Sequence, residues 1–499
     1  MKILIDMRPA LDGHSGIPQE TRLLFQGLQS IDGVDVAGLI QHAGRVLAPG
    51  ISEARLATTG ANSEGVHAQF DRLSQVVISL QSTPGVLIPD RFRTRLRFLN
   101  AWLGMTMRQM LGMKQPLTHF DPENFRDFIW RALFARTLEP SEFQSVTGAA
   151  FRIASIPWNA LHAFGMFTRG LSGRAVYPTL DTAGYDIMIG ETPYPARVSD
   201  RTRMIVRYHD AVPILMPHTI IHTARHQAMH YNALSSNVRS GAFFSCVSEA
   251  TRQDLITIFP EIASRAVTIP NMVSPYYRQL EISPDRVLET MRTRLHTEVK
   301  QRGIDEKKRP FQGVPRYLLM VSTLEPRKNH LGLLASWERM RAQGDTDLKL
   351  VMVGQLGWSN KELLRRLRPW LDRGAVVMLE NVPSDELRAL YRYAEATVCP
   401  SLFEGFDFSG IEAMRCGGVV VASDIPVHRE IFAEGSEYFN PYSIEETAEA
   451  ITKLISSENA ARRADLRRFG ETVSARYLPE RIIPQWHDFL REVVNSTPK

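Results

Sequence analysis

Short apolar runs alternate with amphipathic stretches along two parts of the chain. The first part contains the runs "KILIDM", "YDIMIG", "RMIVRYHD", "AFFSCVS" and "AVTIP". The second contains "YLLMVST", "LKLVMVGQ", "AVVMLEN", "ATVCPS", "GVVVASD" and "EYFNPYS", separated by helical patterns such as "NKELLRRLRPWL", "SDELRALYRYA" and "EETAEAITKLI". Strands that alternate with helices indicate parallel, doubly wound sheets. The pattern therefore predicts an α/β chain with one such sheet in each half.

A polar segment, "VKQRGIDEKKRPFQGVP" at 299–315, has the composition of a linker between the two parts. At 499 residues the chain is also too long for one ordinary core. We therefore predict an N-terminal domain at 1–305 and a C-terminal domain at 306–476. Apolar residues recur at helical intervals in the remaining 477–499, which predicts a final helix.

The alternation breaks at about 80–180, where the sequence predicts a helical insertion in the first domain. One stripe of the stretch "RFRTRLRFLNAWLGMTMRQML" carries Phe92, Leu96, Leu99, Leu103, Met107 and Met110. Off that stripe lie Arg91, Arg93, Arg95, Arg97 and Arg108, and the stretch contains no acid. Two interpretations stay open: the stripe packs on the first domain, or it belongs to a surface that contacts an anionic membrane or a lipid-linked substrate.

Composition and charge narrow the class of protein. Hydrophobic residues make up 44% and charged residues 23%, which is ordinary for a globular chain. A net charge of +5 favours anionic partners such as nucleotides, diphosphates, acidic lipid or nucleic acid, and charge alone does not choose among them. The three cysteines Cys246, Cys399 and Cys416 are far apart in apolar runs, so we predict buried thiols in a reducing cytosol.

We expect neither a signal peptide nor a membrane-spanning segment. The opening "MKILIDMRPALDG" is too short and too charged for a signal peptide. No run of about 18 apolar residues occurs in the sequence. We therefore expect a cytoplasmic protein.

The stretch "STLEPRKNH" at 322–330 follows the first predicted strand of the second half. Its adjacent cations, Arg327 and Lys328, suit a diphosphate, because arginine offers a planar fork and lysine a mobile point charge. In open α/β sheets ligands bind at the carboxyl ends of the strands. The plain alternative is a pair of solvated cations in a loop.

The stretch "CPSLFEGFDFSGIEAMRCGG" at 399–418 joins a predicted strand to a predicted helix through a loop rich in Gly and Phe. Glu404, at the strand end, would face the same crevice as Lys328. The amides of the loop and of the first helical turn could bind an anion. Glu412 could accept paired hydroxyls, as on a ribose. For each acid, a solvated position at a helix end is the plain alternative.

Together these stretches resemble the retaining glycosyltransferases of family 4, which have the GT-B fold. The resemblance is carried by the E-x7-E pair Glu404 and Glu412, by "EAMRCGGVVVASD", by "EPRKN" and by "VPSDELRALYRYAEATVCPSLFEGF". It covers most of 310–475, and it continues more weakly in "DGHSGIPQETRLL", "RYHDAVPIL", "CVSEATRQDL" and "VTIPN". It implies two Rossmann-like domains facing a central cleft, with the helix at 477–499 crossing back to the first domain.

The resemblance also implies roles for individual residues. Glu404, His209 and Lys328 would be catalytic: Glu404 would contact the transferred sugar, His209 would face that sugar, and Lys328 would hold the diphosphate with Arg327. Donor-binding residues would be Ser15, Gly16, Arg327, Lys328, Asn381, Val382, Gly405, Phe406, Asp407, Phe408, Ser409, Gly410 and Glu412. Main chain around Asn381 and Val382 would meet the base, Glu412 would meet the ribose, and the amides of 405–410 would complete the cradle.

The chain departs from the family pattern at three places. Ser322 and Thr323 stand where many members carry an arginine shortly before the lysine loop. Asp407 stands where glycine is common, and Ser409 where proline is common. These departures bear on the shape of the sugar pocket and hence on the donor.

We therefore expect a retaining, metal-independent glycosyltransferase without a cofactor. It would move a hexose from a nucleotide diphosphate sugar to a saccharide or lipid-linked saccharide acceptor. Mannose is the hexose that the resemblance to the family suggests. The setting would be lipopolysaccharide or exopolysaccharide assembly at the inner face of the cell membrane, with peripheral contact to anionic lipid and no nucleic-acid partner.

Two other classes remain in view. A dinucleotide oxidoreductase requires G-x-G-x-x-G after the first strand, and "DGHSGIPQE" lacks that spacing. A non-catalytic GT-B protein that binds carbohydrate or nucleotide is the second alternative. The presence of Glu404, Glu412 and Lys328 disfavours it.

Overall fold

The computed structural model describes residues 1–13, 16–53, 63–81, 88–300 and 313–496. The strands of the first half are β1 (Lys2–Asp6), β2 (Asp35–Ile40), β3 (Thr118–Phe120), β4 (Ala150–Ile153), β5 (Ile187–Gly190), β6 (Arg203–Tyr208), β7 (Phe243–Cys246) and β8 (Ala266–Thr268). Within the described residues they form one sheet in the order β3-β4-β2-β1-β5-β6-β7-β8. Among the strands that the structure describes here, only β3 and β4 pair in antiparallel fashion.

The second half contains another sheet. Its strands are β9 (Tyr317–Val321), β10 (Lys349–Val353), β11 (Val376–Leu379), β12 (Ala396–Cys399), β13 (Val420–Ser423) and β14 (Ser436–Phe439). Their order in the described chain is β11-β10-β9-β12-β13-β14, and every pairing is parallel. The order reverses direction between β9 and β12, which places a crevice at the carboxyl ends of these two strands.

Helices cover both sheets. Those of the first half are α1 (Ile17–Gln29), α2 (Ser63–Gln81), α3 (Ile88–Met110), α4 (Arg126–Ile129), α5 (Phe143–Thr147), α6 (Trp158–Ser172), α7 (Val212–Leu215), α8 (Thr223–Arg239), α9 (Glu249–Ile258), α10 (Asp285–Thr293) and α11 (Thr297–Lys300). Those of the second are α12 (His330–Ala342), α13 (Lys361–Asp372), α14 (Ser384–Tyr393), α15 (Phe408–Arg415), α16 (Pro426–Phe432), α17 (Ile444–Ile455), α18 (Ala460–Ser474) and α19 (Pro479–Asn495).

The strands read as continuous apolar runs because they are buried on both faces. All four residues of β5, of β11 and of β12 are buried. Parallel strands joined by helical crossovers are covered by helices on either side, which removes the polar alternation of a half-exposed strand. The two doubly wound sheets predicted from the alternation are confirmed.

The final helix, α19, packs on the first sheet although it follows the second in the chain. Ile482, Trp486, Phe489 and Leu490 are buried in the same apolar core as β1 and α1. The apolar spacing of 477–499 therefore corresponds to an internal face. The boundary at 305/306 lies outside the described residues, and the domain limits stay predictions.

The apolar stripe of α3 is exposed. Its six side chains, Phe92, Leu96, Leu99, Leu103, Met107 and Met110, are between 46% and 79% exposed. The helix packs on the first half through a different face, since Met105 is buried and the Trp102 ring lies 5.5 Å from the ring of Phe167 on α6. The interpretation in which the stripe packs on the first domain is therefore wrong.

The three cysteines are free and buried, as predicted. Among the described residues, we find no helix with both the length and the apolar character needed to cross a bilayer.

Candidate functional site

Two loops meet at the carboxyl ends of β9 and β12. After β9 the chain forms a 3-10 turn at Pro326–Lys328, and after β12 it enters the loop at 400–407. The main-chain N–H of Leu402 donates to the carbonyl oxygen of Arg327 at 2.8 Å, so the two loops are joined. They meet because β9 and β12 are neighbouring parallel strands.

The structure brings Arg327, Lys328 and Glu404 together in this crevice. Nη1 of Arg327 donates to Oε2 of Glu404 at 2.7 Å, and Nζ of Lys328 donates to Oε1 of the same carboxylate. Nε of Arg327 lies 2.6 Å from Oε1 of Glu325. Two carboxylates thus hold the cations in place. This excludes the alternative in which Arg327 and Lys328 are merely a pair of solvated cations in a loop.

The electrostatics of this cluster favour an ionised Glu404. Burial opposes its charge, but Arg327 and Lys328 outweigh that effect and lower the pKa of Glu404. Burial has the larger influence on Glu325, whose pKa is raised despite the same two cations. Two fixed cations at the end of a parallel sheet can stabilise negative charge that develops on a leaving group.

His209, at the end of β6, lies against this cluster from the first half of the chain. Its carbonyl oxygen is so close to Gly405 that a Cβ atom at 405 would lie 1.6 Å from it. The hydroxyl of Thr251 lies 3.5 Å from the carbonyl oxygen of Gly405, on the same side. The loops of the two sheets therefore touch at Gly405, and only glycine fits there.

The imidazole of His209 is neutral near neutral pH. Burial, followed by the charge of Arg207, lowers its pKa to about 4. Its Nε2 lies 3.6 Å from Oε2 of Glu191, whose own pKa burial raises to about 8. A neutral imidazole has one nitrogen that donates a hydrogen bond and one that accepts.

Side chains of the loop after Glu404 serve the protein itself. The ring of Phe406 packs on Phe408 and Tyr477, at centroid distances of 5.1 and 5.4 Å. Oδ1 of Asp407 accepts hydrogen bonds from the main-chain N–H and the hydroxyl of Ser409, at 2.9 and 2.6 Å. Asp407 is thus the N-cap of α15, which gives a structural reason for an acid where the family commonly has glycine.

The same loop is fixed from behind by α16. Nε2 of His428 lies 3.3 Å from Oδ2 of Asp407, and both residues are buried. A Cβ atom at Gly410 would lie 2.3 Å from the ring of Phe432, so α15 and α16 are in close contact there. What the stretch 405–410 can offer a ligand is therefore its main-chain N–H groups other than that of Ser409, which donates to Asp407.

Beside this crevice lies a cavity of about 550 Å³ between the two halves. Both halves of the chain contribute to its wall. The first half provides Gly13, Gln19, Trp130, Ala135, Arg136, Thr137, Leu138, Glu139, Pro140, Ser274, Tyr276 and Tyr277. The second half provides Val321, Ser322, Thr323, Val353, Gly354, Gln355, Asn381, Val382, Pro383, Ser384, Asp385, Leu387 and Glu412. Three of the residues assigned to the donor, Asn381, Val382 and Glu412, thus face one space.

Gly16, another residue assigned to the donor, precedes α1 in the first half of the chain. Gly16 is the N-cap residue of α1 and has a φ of 72°, a conformation that favours glycine. Ser15 lies outside the described residues. The functional roles of all these residues stay predictions, because their positions alone do not test them.

Glu412 is buried at the point where both halves meet. Its Oε1 accepts a hydrogen bond from Nε2 of Gln19 at 3.0 Å, and its Oε2 accepts one from the hydroxyl of Tyr391 at 3.0 Å. Burial raises the pKa of Glu412 to about 7, although these two donors oppose the shift. The carboxyl group therefore titrates near neutral pH and is not a solvated acid at a helix end.

If Glu412 binds the donor as the resemblance implies, this pKa predicts that donor binding depends on pH. If the carboxylate form of Glu412 holds two hydroxyls of the donor, kcat/KM for the donor falls by up to about tenfold per pH unit below the pKa of about 7. The Glu412→Gln variant is expected to lack this limb and to have a donor KM raised by roughly tenfold, since one charge-assisted contact is lost. Initial rates measured across the neutral range at several donor concentrations check both results.

The pH dependence of the unfolding free energy is the control for that experiment. It runs in the opposite direction to kcat/KM, because stability falls where kcat/KM rises. Because the pKa of Glu412 is raised above the ordinary 4.5, its contribution to stability is complete below 4.5 and is lost as pH rises through about 7. Relative to Glu412→Gln, the wild-type protein should thus lose unfolding free energy over that interval. A limb in kcat/KM that persists in the variant would assign it to another group.

Several residues of the site were not identified from the sequence. Gln19 and Tyr391 lie within the motifs quoted above, but their spacing does not show that both reach Glu412. Arg22 is fully buried, and its guanidinium donates to the carbonyl oxygens of Ala10 and Gly13 at 2.7 and 3.0 Å. An arginine in an amphipathic helix ordinarily faces solvent, so no local signal marks it.

Arg22 also connects the wall of the cavity to α1. Its Nη1 donates to the hydroxyl of Thr137 at 2.9 Å, and its Nε donates to the carbonyl oxygen of Leu133 at 2.5 Å. The neighbouring Arg136 lines the cavity together with Ser322 and Thr323. A cation from the insertion thus lies in the cleft of a chain that lacks the common arginine at 322–323.

Comparison with known proteins supports the resemblance in the second half. The family model described as "Glycosyl transferases group 1" matches residues 301–472. The chain is 23% identical to the serotype-specific mannosyltransferase WbdA of Escherichia coli over 252 residues. This alignment covers 50% of the present chain and 29% of WbdA. It is 24% identical over 294 residues to the O-antigen chain mannosyltransferase B of Escherichia coli, covering 59% and 70% respectively. The match thus spans less than a third of the first relative.

Solved structures show the same fold over nearly the whole chain. The sucrose-phosphate synthase of Thermosynechococcus elongatus aligns with a TM-score of 0.55 at 13% identity, covering 99% of this chain and 100% of that one. The HepE protein of Anabaena, solved in complex with UDP-glucose, aligns with a TM-score of 0.52 at 15% identity over 99% and 100%. The GT-B fold expected from the resemblance is confirmed.

Proposed function

We propose that the chain is a retaining hexosyltransferase, because its residues 301–472 match the family model described as "Glycosyl transferases group 1". In this proposal it moves a hexose from a nucleotide diphosphate sugar to a saccharide or lipid-linked saccharide acceptor. The observation that carries the proposal is the pair Arg327 and Lys328, both bound to Glu404 beside a cavity that contains Glu412. This arrangement offers a place for a diphosphate next to a place for a nucleoside.

The names of several relatives support mannose as the hexose. They include serotype-specific and O-antigen chain mannosyltransferases and a GDP-mannose:cellobiosyl-diphosphopolyprenol alpha-mannosyltransferase from Xanthomonas oryzae, which is 25% identical over 258 residues. We accordingly propose GDP-mannose as the first donor to test. We further propose that the enzyme acts in lipopolysaccharide or exopolysaccharide assembly, in the cytoplasm at the inner face of the cell membrane.

In the proposed reaction the bond between the sugar's anomeric carbon and the diphosphate breaks, and a bond to an acceptor oxygen forms on the same face. The proton of the acceptor hydroxyl goes to the departing diphosphate, which leaves as the nucleoside diphosphate. Arg327 and Lys328 neutralise the negative charge that develops on the departing diphosphate. Main-chain N–H groups of 405–410 stabilise the same charge by donating hydrogen bonds to it. The neutral His209 and Glu404 orient the sugar.

This scheme assigns the positive charge to side chains, so activity is expected to survive EDTA. Transfer rates with and without the chelator check this, and addition of magnesium afterwards is the control. Complete loss of transfer in EDTA, with recovery on magnesium, would contradict the metal-independent part of the proposal and leave the transferase assignment standing.

The proposal as a whole is tested in two steps. A thermal-shift screen against nucleotide sugars identifies the donor, because only ligands that bind the folded state raise the melting temperature. The donor is then incubated with a panel of saccharide and lipid-linked acceptors, and proton NMR of the product gives the anomeric configuration. An inverted product would contradict retention. Binding of a donor without transfer or hydrolysis would instead support a non-catalytic binding protein.

A further inference from the structure

An exposed apolar surface extends over two helices of the first half. On α3 it consists of Phe92, Leu96, Leu99, Leu103, Met107 and Met110, and on α6 it continues with Phe167 and Leu171, which are 44% and 73% exposed. The two helices are joined where the Trp102 and Phe167 rings meet. We call this surface the docking face. Large contiguous apolar surfaces on globular proteins mark sites that bind a partner or a membrane.

At 91–110 of α3 and throughout α6 the charged residues are all arginines, and the one acid in the sequence of the two helices, Asp90, precedes the stripe. Arg93, Arg95, Arg97 and Arg108 are exposed on α3, and Arg169 is exposed on α6. No Asp or Glu occurs at 91–120 or at 158–180 in the sequence. The face is therefore apolar in the middle and cationic at its edges.

The arginines flank the stripe on both sides of α3. At about 100° per residue, Arg95 lies to one side of the line through Leu96, Leu99 and Leu103, and Arg93 and Arg97 lie to the other. Long arginine stems can lie along an apolar surface while the guanidinium groups reach the phosphate level of a bilayer. A helix with this pattern lies in a membrane interface, its axis parallel to the surface.

We propose that the docking face binds the surface of an anionic bilayer, with α3 and α6 inserted to the depth of the acyl-chain boundary. Met105 and the Trp102–Phe167 contact anchor α3 to the first half, so the helix is held with its stripe turned outwards before any membrane is present. A membrane accounts for both features of the face at once: lipid tails cover the apolar stripe, and acidic headgroups pair with the arginines.

Membrane docking through this face is a property separate from the proposed transfer reaction. It would make that reaction faster with an acceptor that is anchored in the membrane. A lipid-linked acceptor diffuses in the plane of the membrane, so an enzyme held at that plane meets it far more often. This consequence rests on the proposed function, whereas docking itself does not. Vesicle binding requires neither donor nor acceptor, so the two proposals can fail separately.

Sedimentation with vesicles tests the proposal. Wild-type protein is expected to pellet at low salt with vesicles of phosphatidylcholine and phosphatidylglycerol, and much less with phosphatidylcholine alone. Each cation near an anionic surface contributes about fivefold to partitioning, so the triple change Arg93→Gln, Arg95→Gln and Arg97→Gln should lower the partition coefficient on the order of 100-fold. The matched control is Lys361→Gln, Arg365→Gln and Arg368→Gln on exposed α13, which should pellet like wild type.

A fluorescent probe tests which residues enter the bilayer. The three native cysteines are buried, so Leu99→Cys can be labelled selectively with an environment-sensitive dye. Its emission should shift to the blue with anionic vesicles, and the same dye at Arg368→Cys should not change. The proposal would be overturned by absent pelleting, by binding that is indifferent to the three arginines, or by a probe that stays in water. It would equally be overturned if the face proved to be covered by a second copy, shown as a dimer that Leu99→Gln dissociates.

Discussion

Lys328→Ala is expected to lower the turnover number by about 100-fold or more at saturating donor, because in the proposed reaction it removes one charge that stabilises the departing diphosphate. In the structure the ammonium group of Lys328 is held on Glu404 beside Arg327, so the charge is already in position and no reorganisation is needed. Steady-state rates with the donor found by thermal shift check this.

The fold of this variant should remain intact. The side chain of Lys328 contributes to a crevice and not to an apolar core, so the melting temperature is expected to change little. Lys361→Ala, on the exposed surface of α13, is the matched control and should leave both quantities unchanged. Near-normal turnover of Lys328→Ala at saturating donor would remove Lys328 from the diphosphate site.

The sequence predicted both sheets because buried parallel strands have an unambiguous pattern. Most runs, such as the one that becomes β11, are wholly apolar, and most are followed by a polar or helical stretch. The spacing of motifs also predicted that Lys328 and Glu404 share a crevice, since both follow strands whose carboxyl ends lie at one edge. These inferences depend only on order along the chain.

Contacts between the two halves could not be predicted in this way. Glu412 accepts a hydrogen bond from Gln19, which is 393 positions away, and its raised pKa depends on the burial that results from this meeting. The sequence marks Asp407 as a departure from the family pattern and as an expected donor-binding residue, whereas the structure shows its side chain capping α15 and contacting His428. Such roles depend on how the halves are packed, and no local pattern encodes that.

The stripe of α3 shows a different limit. Helical periodicity predicts which residues share a face, but it does not say what that face touches. In α3 the buried face is a narrow one around Met105, and the wider apolar stripe is exposed on the surface of the protein. Only the absence of acidic residues from the surrounding sequence could have favoured a membrane over a protein core.

The second large effect is expected from Gly405→Ala, which should lower turnover by about 100-fold, because a displacement of about 1 Å in catalytic groups has consequences of that size. An alanine Cβ would lie 1.6 Å from the carbonyl oxygen of His209 and 3.1 Å from Cβ of Asp210. The obstacle is main chain at the end of β6, so neither side can yield by changing a rotamer. The loop carrying Glu404 and the residue His209 must therefore move apart.

Two other glycines separate this effect from a general loss of stability. Gly410→Ala would meet the ring of Phe432, a side chain that can shift, so it should destabilise α15 by about 1–3 kcal/mol with a smaller loss of turnover. Gly104→Ala on α3 has open space around it and should be neutral or slightly stabilising. Rates are compared at a temperature where all three variants are folded. If Gly405→Ala then turned over like Gly104→Ala, the contact between Gly405 and His209 would not position the catalytic groups, and the crevice would have to close in some other way during transfer.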